Sequence, residues 1–151
     1  MAAVAEREGA ELLDLAGQGI ATRTVAVPNG QVLGLVPLPV ALLDANVIID
    51  VPKAKNHHVE PISGALKNWM GIADHRFLAH SNGDETSVQR FMDIMTVTRP
   101  TLCVVDTLIA GEGDGPNANL PRRGGCVRAF TDHVERDGTT SRLNGVARVQ
   151  R

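Results

Sequence analysis

The chain runs as short apolar stretches between polar breaks, and the period of each stretch predicts its element. Val4, Leu12, Leu13, Leu15 and Ala16 fall on one helical stripe, predicting a helix from about residue 2 to 16. Thr22 to Val27 is β-branched and alternating. Pro28-Asn29-Gly30 then predicts a hairpin turn into a strand over Gln31 to Val36. Pro37 and Pro39 read as a break, followed by a short helical turn over Ala41 to Asp44. Val47 to Val51 reads as a strand covered on both faces.

Further along, Ile62 to Ile72 has helical spacing, with Ser63 near its start and Gly71 near its end. His75 to Gly83 reads as a loop. The clearest helix is 84–98, where Val88, Phe91, Met92 and Met95 form the stripe, Asp84 or Ser81 caps the start, and Arg99-Pro100 ends it. Thr101 to Asp106 is a second buried strand, Gly111 to Gly125 a long loop, and Cys126 to Phe130 a third strand, a parallel candidate alongside Val47–Val51 and Thr101–Asp106. Asp132-x-x-Glu135 opens a last, weaker helix containing Gly138. The alternation predicts an α/β fold: a mostly parallel sheet with helices on both faces and an antiparallel hairpin at one edge. Val47–Val51 and Thr101–Asp106 should be neighbouring parallel strands, since a helix lies between them.

A length of 151 residues and 43% hydrophobic content fit a single domain with a real core, built from aliphatic side chains because aromatics are only 3%. A net charge of -2 gives no electrostatic footprint for nucleic acid. Glu6, Arg7, Glu8, Glu11 and Asp14 interrupt any leader-like start, and Val32 to Leu43 is broken by Gly34, Pro37 and Pro39 and too short to span a bilayer. A soluble, cytoplasmic chain with no membrane partner is therefore expected. Cys103 and Cys126 read as buried, reduced, inert thiols. A [4Fe–4S] cluster needs four closely spaced thiolates, which this chain does not supply, so no such cluster is expected on this chain alone, and the residues identify no other cofactor.

Candidate chemistry concentrates after the Val47–Val51 strand, where open α/β sheets bind ligands. Lys53, Lys55, His57 and Lys67 follow within a short span, with Ser63-Gly64 between His57 and Lys67. Lysine and histidine are the side chains most easily retuned near neutral pH. His57 and Lys67 are the candidate catalytic pair, with Asp106, at a strand end, placed to orient them. Lys53, Lys55, Ser63 and Asn68 on one side, and Glu112, Asp114 and Gly115 on the other, are the expected contacts of a small anionic ligand. The glycines let backbone N–H groups approach it. His80 and His75, near Asp74 and Asp84, are weaker candidates for a metal.

These residues also carry a resemblance. Pro52-Lys-x-Lys-x-His57, then Ser63-Gly-x-x-Lys67-Asn and Gly71, resembles the core of domain-of-unknown-function family 362. Thr101-Leu-Cys-Val-Val-Asp106 with Glu112-Gly-Asp-Gly-Pro116 resembles that family's strand and Gly-Asp-Gly-Pro segment. Ala5 to Leu15 and Thr131 to Gly145 resemble its opening and closing segments. The resemblance implies an enzyme-type site in redox or iron–sulfur-linked metabolism and a ferredoxin-like partner. The alternative is a non-catalytic module that binds a ligand or a ferredoxin. It also implies that residues 1–151 form one domain lacking an N-terminal segment with a strand and a Lys-Pro-Asn motif. His-x5-Ser-Gly-x2-Lys is, further, similar to a motif of lactate racemase-like proteins. There the histidine is the acid/base and the lysine tethers a nickel-pincer nucleotide, roles that would fall to His57 and Lys67, with His80 or His75 as the metal histidine. Ala65 stands where that motif has a second glycine, and the Pro-Gly after the lysine is absent.

Overall fold

The computed structural model describes residues 2–15, 19–55, 68–72, 86–114 and 118–131. A short helix α1 (Ala2–Arg7) comes first. The expected helix to residue 16 stops early because Gly9, at φ +66°, closes it. Ala10 N–H reaches back to the Ala5 carbonyl and Gly9 N–H to Glu6, the paired bonds of a glycine-terminated helix end. Leu12 and Leu13 are consequently exposed rather than part of a helical stripe.

Strands β1 (Thr22–Ala26) and β2 (Leu35–Pro39) form the expected hairpin, but as a separate two-stranded sheet rather than the edge of a larger one. Its return strand begins later than the pattern predicts, and Pro37 and Pro39 lie within it. The register explains their tolerance. Bonds from Val27 N–H to the Gly34 carbonyl and from Val40 N–H to Ala21 fix which pairs carry ladder bonds. Pro37 opposite Thr24 and Pro39 opposite Thr22 fall on the alternate, non-bonded positions, so a missing N–H costs no ladder bond. Helix α2 (Val40–Leu43) follows directly.

Helix α3 (Ser87–Val97) forms where the stripe predicts, and Thr98 turns to extended backbone two residues before Pro100. Phe91 and Ile94 pack with Val27, Leu33, Val36, Leu38 and Trp69 into the larger core. The smaller core joins Ala54, Cys103, Val105 and Ala110, with Phe130 against it.

The second sheet is built on β5 (Leu102–Asp114). β3 (Ile49–Asp50) and β4 (Lys53–Lys55) pair with it in parallel, Ile49 opposite Leu102 and Lys53 opposite Asp106. The expected neighbouring parallel strands are thus present. The sheet as a whole is mixed, however, not mostly parallel. β6 (Ala118–Arg123) and β7 (Val127–Phe130) both run antiparallel to β5, which corrects the reading of Cys126–Phe130 as parallel. The stretch from Gly111 that reads as loop instead extends β5 to Asp114 and returns as β6. Nor is β3 covered on both faces. Val47, Ile49 and Val51 are 62%, 55% and 63% exposed, while Asp50 between them is buried.

One irregularity shapes everything downstream. Cys103, Val105 and Thr107 are buried in strict alternation, then Leu108 and Ile109 are both exposed and Ala110 is buried again. The burial parity of β5 therefore slips at a bulge, and the β4 partner jumps from Asp106 to Gly111 between Lys53 and Lys55. On the other edge Gly124 and Gly125 N–H groups converge on the Leu108 carbonyl.

Candidate functional site

Alternation along β4 puts Ala54 into the core and Lys53 and Lys55 on the opposite face. Lys53 Nζ donates to Asp106 Oδ2 at 2.8 Å across the parallel pair, and Asp106 Oδ1 accepts the Leu108 N–H at 2.9 Å. The Lys53 ammonium bonded to it, and then the Leu108 N–H, hold Asp106 below the usual carboxylate range against a small desolvation effect. Its contribution to stability is present above the ordinary carboxylate pKa and fades as pH falls through the lowered value. Both side chains are about half exposed, so Asp106→Asn should cost no more than ~1 kcal/mol in urea unfolding. A larger loss would mean the pair carries structural weight.

Because the bulge in β5 reverses parity, Gly111 faces the same side as Asp106. A Cβ on Gly111 would lie 3.0 Å from Lys55 Cβ and 2.9 Å from Asn119 Nδ2. The missing side chain lets Lys55 of one edge strand and Asn119 of the other converge over the central strand. Lys55 is half-buried, with no carboxylate partner among the described residues. Glu112, next along the strand, lies on the other face, where it pairs with Arg122. The backbone of Asp114 closes β5. His57, Ser63, Lys67, His75, His80 and Gly115 lie outside the described residues, as do the helix expected after Asp132 and the 81 and 84 cap positions. Among the described residues no group of three or more His, Cys, Asp or Glu is placed to hold a metal, and no helix is long and apolar enough to cross a membrane.

Two acidic residues outside the expected set prove to be buried. Asp50, at the C-terminal end of β3, accepts Asn68 Nδ2 at 2.6 Å on one oxygen, and Cys103 Sγ lies 3.4 Å from the other. Asn68, an expected substrate contact, is thus committed at least in part to Asp50. Asp93, on α3, accepts the N–H groups of Gln31, Val32 and Leu33 and the Gln89 amide. Asp50 had a visible sign in the sequence, since a lone carboxylate inside an apolar run has to be satisfied by something, whereas Asp93 beside a helical stripe had none.

Of the cysteines, Cys103 is buried as expected, whereas Cys126 is half-buried. The Thr107 hydroxyl and then Arg128 lower the Cys126 thiol below its ordinary pKa. Thr107 Oγ1 also donates to the Cys126 carbonyl, tying β7 to the bulge in β5.

Comparison with known proteins follows the same residues. A family model described as "Domain of unknown function (DUF362)" matches residues 1–142. The "Thylakoid-associated protein sll1697" of Synechocystis sp. is 30% identical over 96 residues, which take in 60% of this chain and 30% of that protein. No solved structure matches.

Proposed function

The chain belongs to the DUF362 family, and on that premise we propose that it holds an enzyme-type site for a small anionic substrate, with Lys55 as principal contact. The observation that carries the reading is Lys55 itself, half-buried without a carboxylate partner among the described residues and drawn beside Asn119 over Gly111. A cation held partly out of water without a counter-charge is stabilised by any anion that reaches it. Lys53, oriented by Asp106, adds a second positive charge on the same face. In this reading His57 supplies acid–base chemistry, Lys67 a reactive amine, and Ser63, Asp114 and Gly115 further contacts; Glu112, on the opposite face with Arg122, and Asn68, bonded to the buried Asp50, stand apart from it. The redox setting rests on the family resemblance and on a relative associated with thylakoids, not on a residue of this chain.

The test is a calorimetric titration of the full chain with inorganic phosphate at low salt. Lys55→Ala should weaken binding about tenfold or more, the scale of a lost charge-assisted hydrogen bond, while Lys55→Arg keeps most of it. Equal affinity in Lys55→Ala and wild type would remove the proposal. A second reading, a non-catalytic module that docks a ferredoxin-like protein, is favoured by the exposed Ile49, Val51 and Val127. It predicts measurable ferredoxin binding that Val51→Glu abolishes and Lys55→Ala leaves intact.

A further inference from the structure

From Val47 to Lys55 the edge of the second sheet keeps one alternation. Val47, Ile49, Val51 and Lys53 are exposed and Lys55 is half-buried, while Asp50, Pro52 and Ala54 between them are buried. The outward row is therefore aliphatic at one end and cationic at the other. The neighbouring strands continue it. Ile49 stands opposite Leu102 and Lys53 opposite Asp106 on β5, and Asp106 stands opposite Val127 on β7, so these side chains share a face.

The bulge in β5 adds to the same face. Leu108 and Ile109 are both exposed there, where unbroken alternation would turn one of them inward. Arg123, opposite Ile109, is exposed as well, whereas its neighbour Arg122 pairs with Glu112 on the other face. Lys53, Lys55 and Arg123 thus stand among exposed aliphatic side chains. Among the described residues Asp106 is the one carboxylate of this face, although the chain as a whole carries a net charge of -2.

Exposed aliphatic surface rimmed by charge marks an interaction site, and the excess of cations selects an anionic occupant. Protein interfaces concentrate their affinity in aromatic anchors, and no aromatic side chain stands on this face among the described residues. A lipid surface requires only apolar area and positive charge on one side of a fold. We propose that this face of the sheet docks on an anionic lipid surface. The aliphatic side chains enter the boundary between headgroups and acyl chains. Lys55 and Arg123 meet lipid phosphates, with Lys53, shared with Asp106, between them. The inference rests on the reading of Lys55 as an anion contact and gives that anion a source. The sequence predicts no membrane partner because no apolar run can span a bilayer; lying on one needs only a face.

The full chain is sedimented with vesicles of phosphatidylcholine alone and of phosphatidylcholine with phosphatidylglycerol in equal parts. It should bind the mixed vesicles about tenfold or more tightly, and the difference should shrink as salt rises. Lys55→Ala should weaken that binding about fivefold, the scale of one cation at an anionic surface. Val51→Glu should weaken it at least as much, and at 63% exposure Val51 is replaceable without loss of the fold, which circular dichroism checks. Absence of binding, equal binding to both vesicles, or Val51→Glu binding like wild type would overturn the inference. Phosphate bound through Lys55 by a chain that ignores vesicles would overturn it and leave the small-substrate site standing. A ferredoxin bound through Val51 by such a chain would overturn it and assign the face to a protein. Vesicle binding without phosphate affinity supports docking and removes the small-substrate reading instead.

Discussion

Replacing Asp93 with Ala is expected to lower unfolding free energy by about 3–4 kcal/mol, a large share of the stability of an ordinary domain. The carboxylate receives the N–H groups of Val32 and Leu33 at 2.8 Å each and of Gln31 at 3.2 Å, with Gln89 Nε2 at 2.9 Å. Three successive backbone donors of the hairpin loop thus converge on one helical side chain about sixty residues away. Leu33 and Asp93 are themselves buried, so truncation leaves donors that water reaches poorly. The measurement is a urea midpoint at unchanged slope. A loss below ~1 kcal/mol would mean the loop finds other acceptors.

The same carboxylate gives a pH dependence whose sign follows from its surroundings. Burial pushes its pKa up, but the Leu33 N–H, the Gln89 amide and the Val32 and Gln31 N–H groups outweigh that and hold it below its ordinary value. A group with a lowered folded pKa contributes stability that is complete above the unfolded pKa and is lost as pH falls through the folded one. Wild type should therefore lose stability below about pH 4. Asp93→Asn should be less stable at neutral pH and show a shallower acid limb.

The second large effect is steric. Gly124→Ala should cost about 2–3 kcal/mol, because the added Cβ would sit 2.1 Å from the Thr107 carbonyl oxygen, which is backbone and cannot swing away. To relieve it the β6–β7 junction has to separate from the β5 bulge, undoing the Leu108 and Cys126 bonds that hold β7. Gly34→Ala is the control: an added Cβ there would meet nothing within 4 Å and the backbone is not left-handed, so it should be neutral or slightly stabilising. Thermal unfolding of the pair separates them. Equal midpoints would show that the close approach at Gly124 is not a real constraint.

Some of this was readable from the chain alone. The α3 helix followed from a 3.6-residue stripe closed by Pro100, and the β1–β2 hairpin from alternation around Pro28-Asn29-Gly30, where Asn29 takes φ 58°. The parallel neighbours β3 and β5 followed from two strand-like runs with a helix between. Lys53 and Lys55 were marked as site candidates by spacing, and Asp106 by its place after an apolar run; the fold then joined Lys53 to Asp106.

What the sequence determined by itself was local: which segments have a period, where glycine and proline end them, and which side chains have reactive groups. The tertiary structure decided what depends on partners distant in the chain. Gly111-Glu-Gly-Asp114 has loop composition, yet pairing with β6 makes it strand, since ladder bonds outweigh weak β propensity and the glycine admits Lys55 and Asn119. The direction of β7 was set by its place beside β5, not by its own apolar pattern, which is the same for either direction. Asp93 looks like a solvated helix residue until the hairpin loop arrives with three N–H groups. A one-dimensional pattern records how a residue suits its neighbours in the chain; a hydrogen-bond partner about sixty residues away leaves no trace in it.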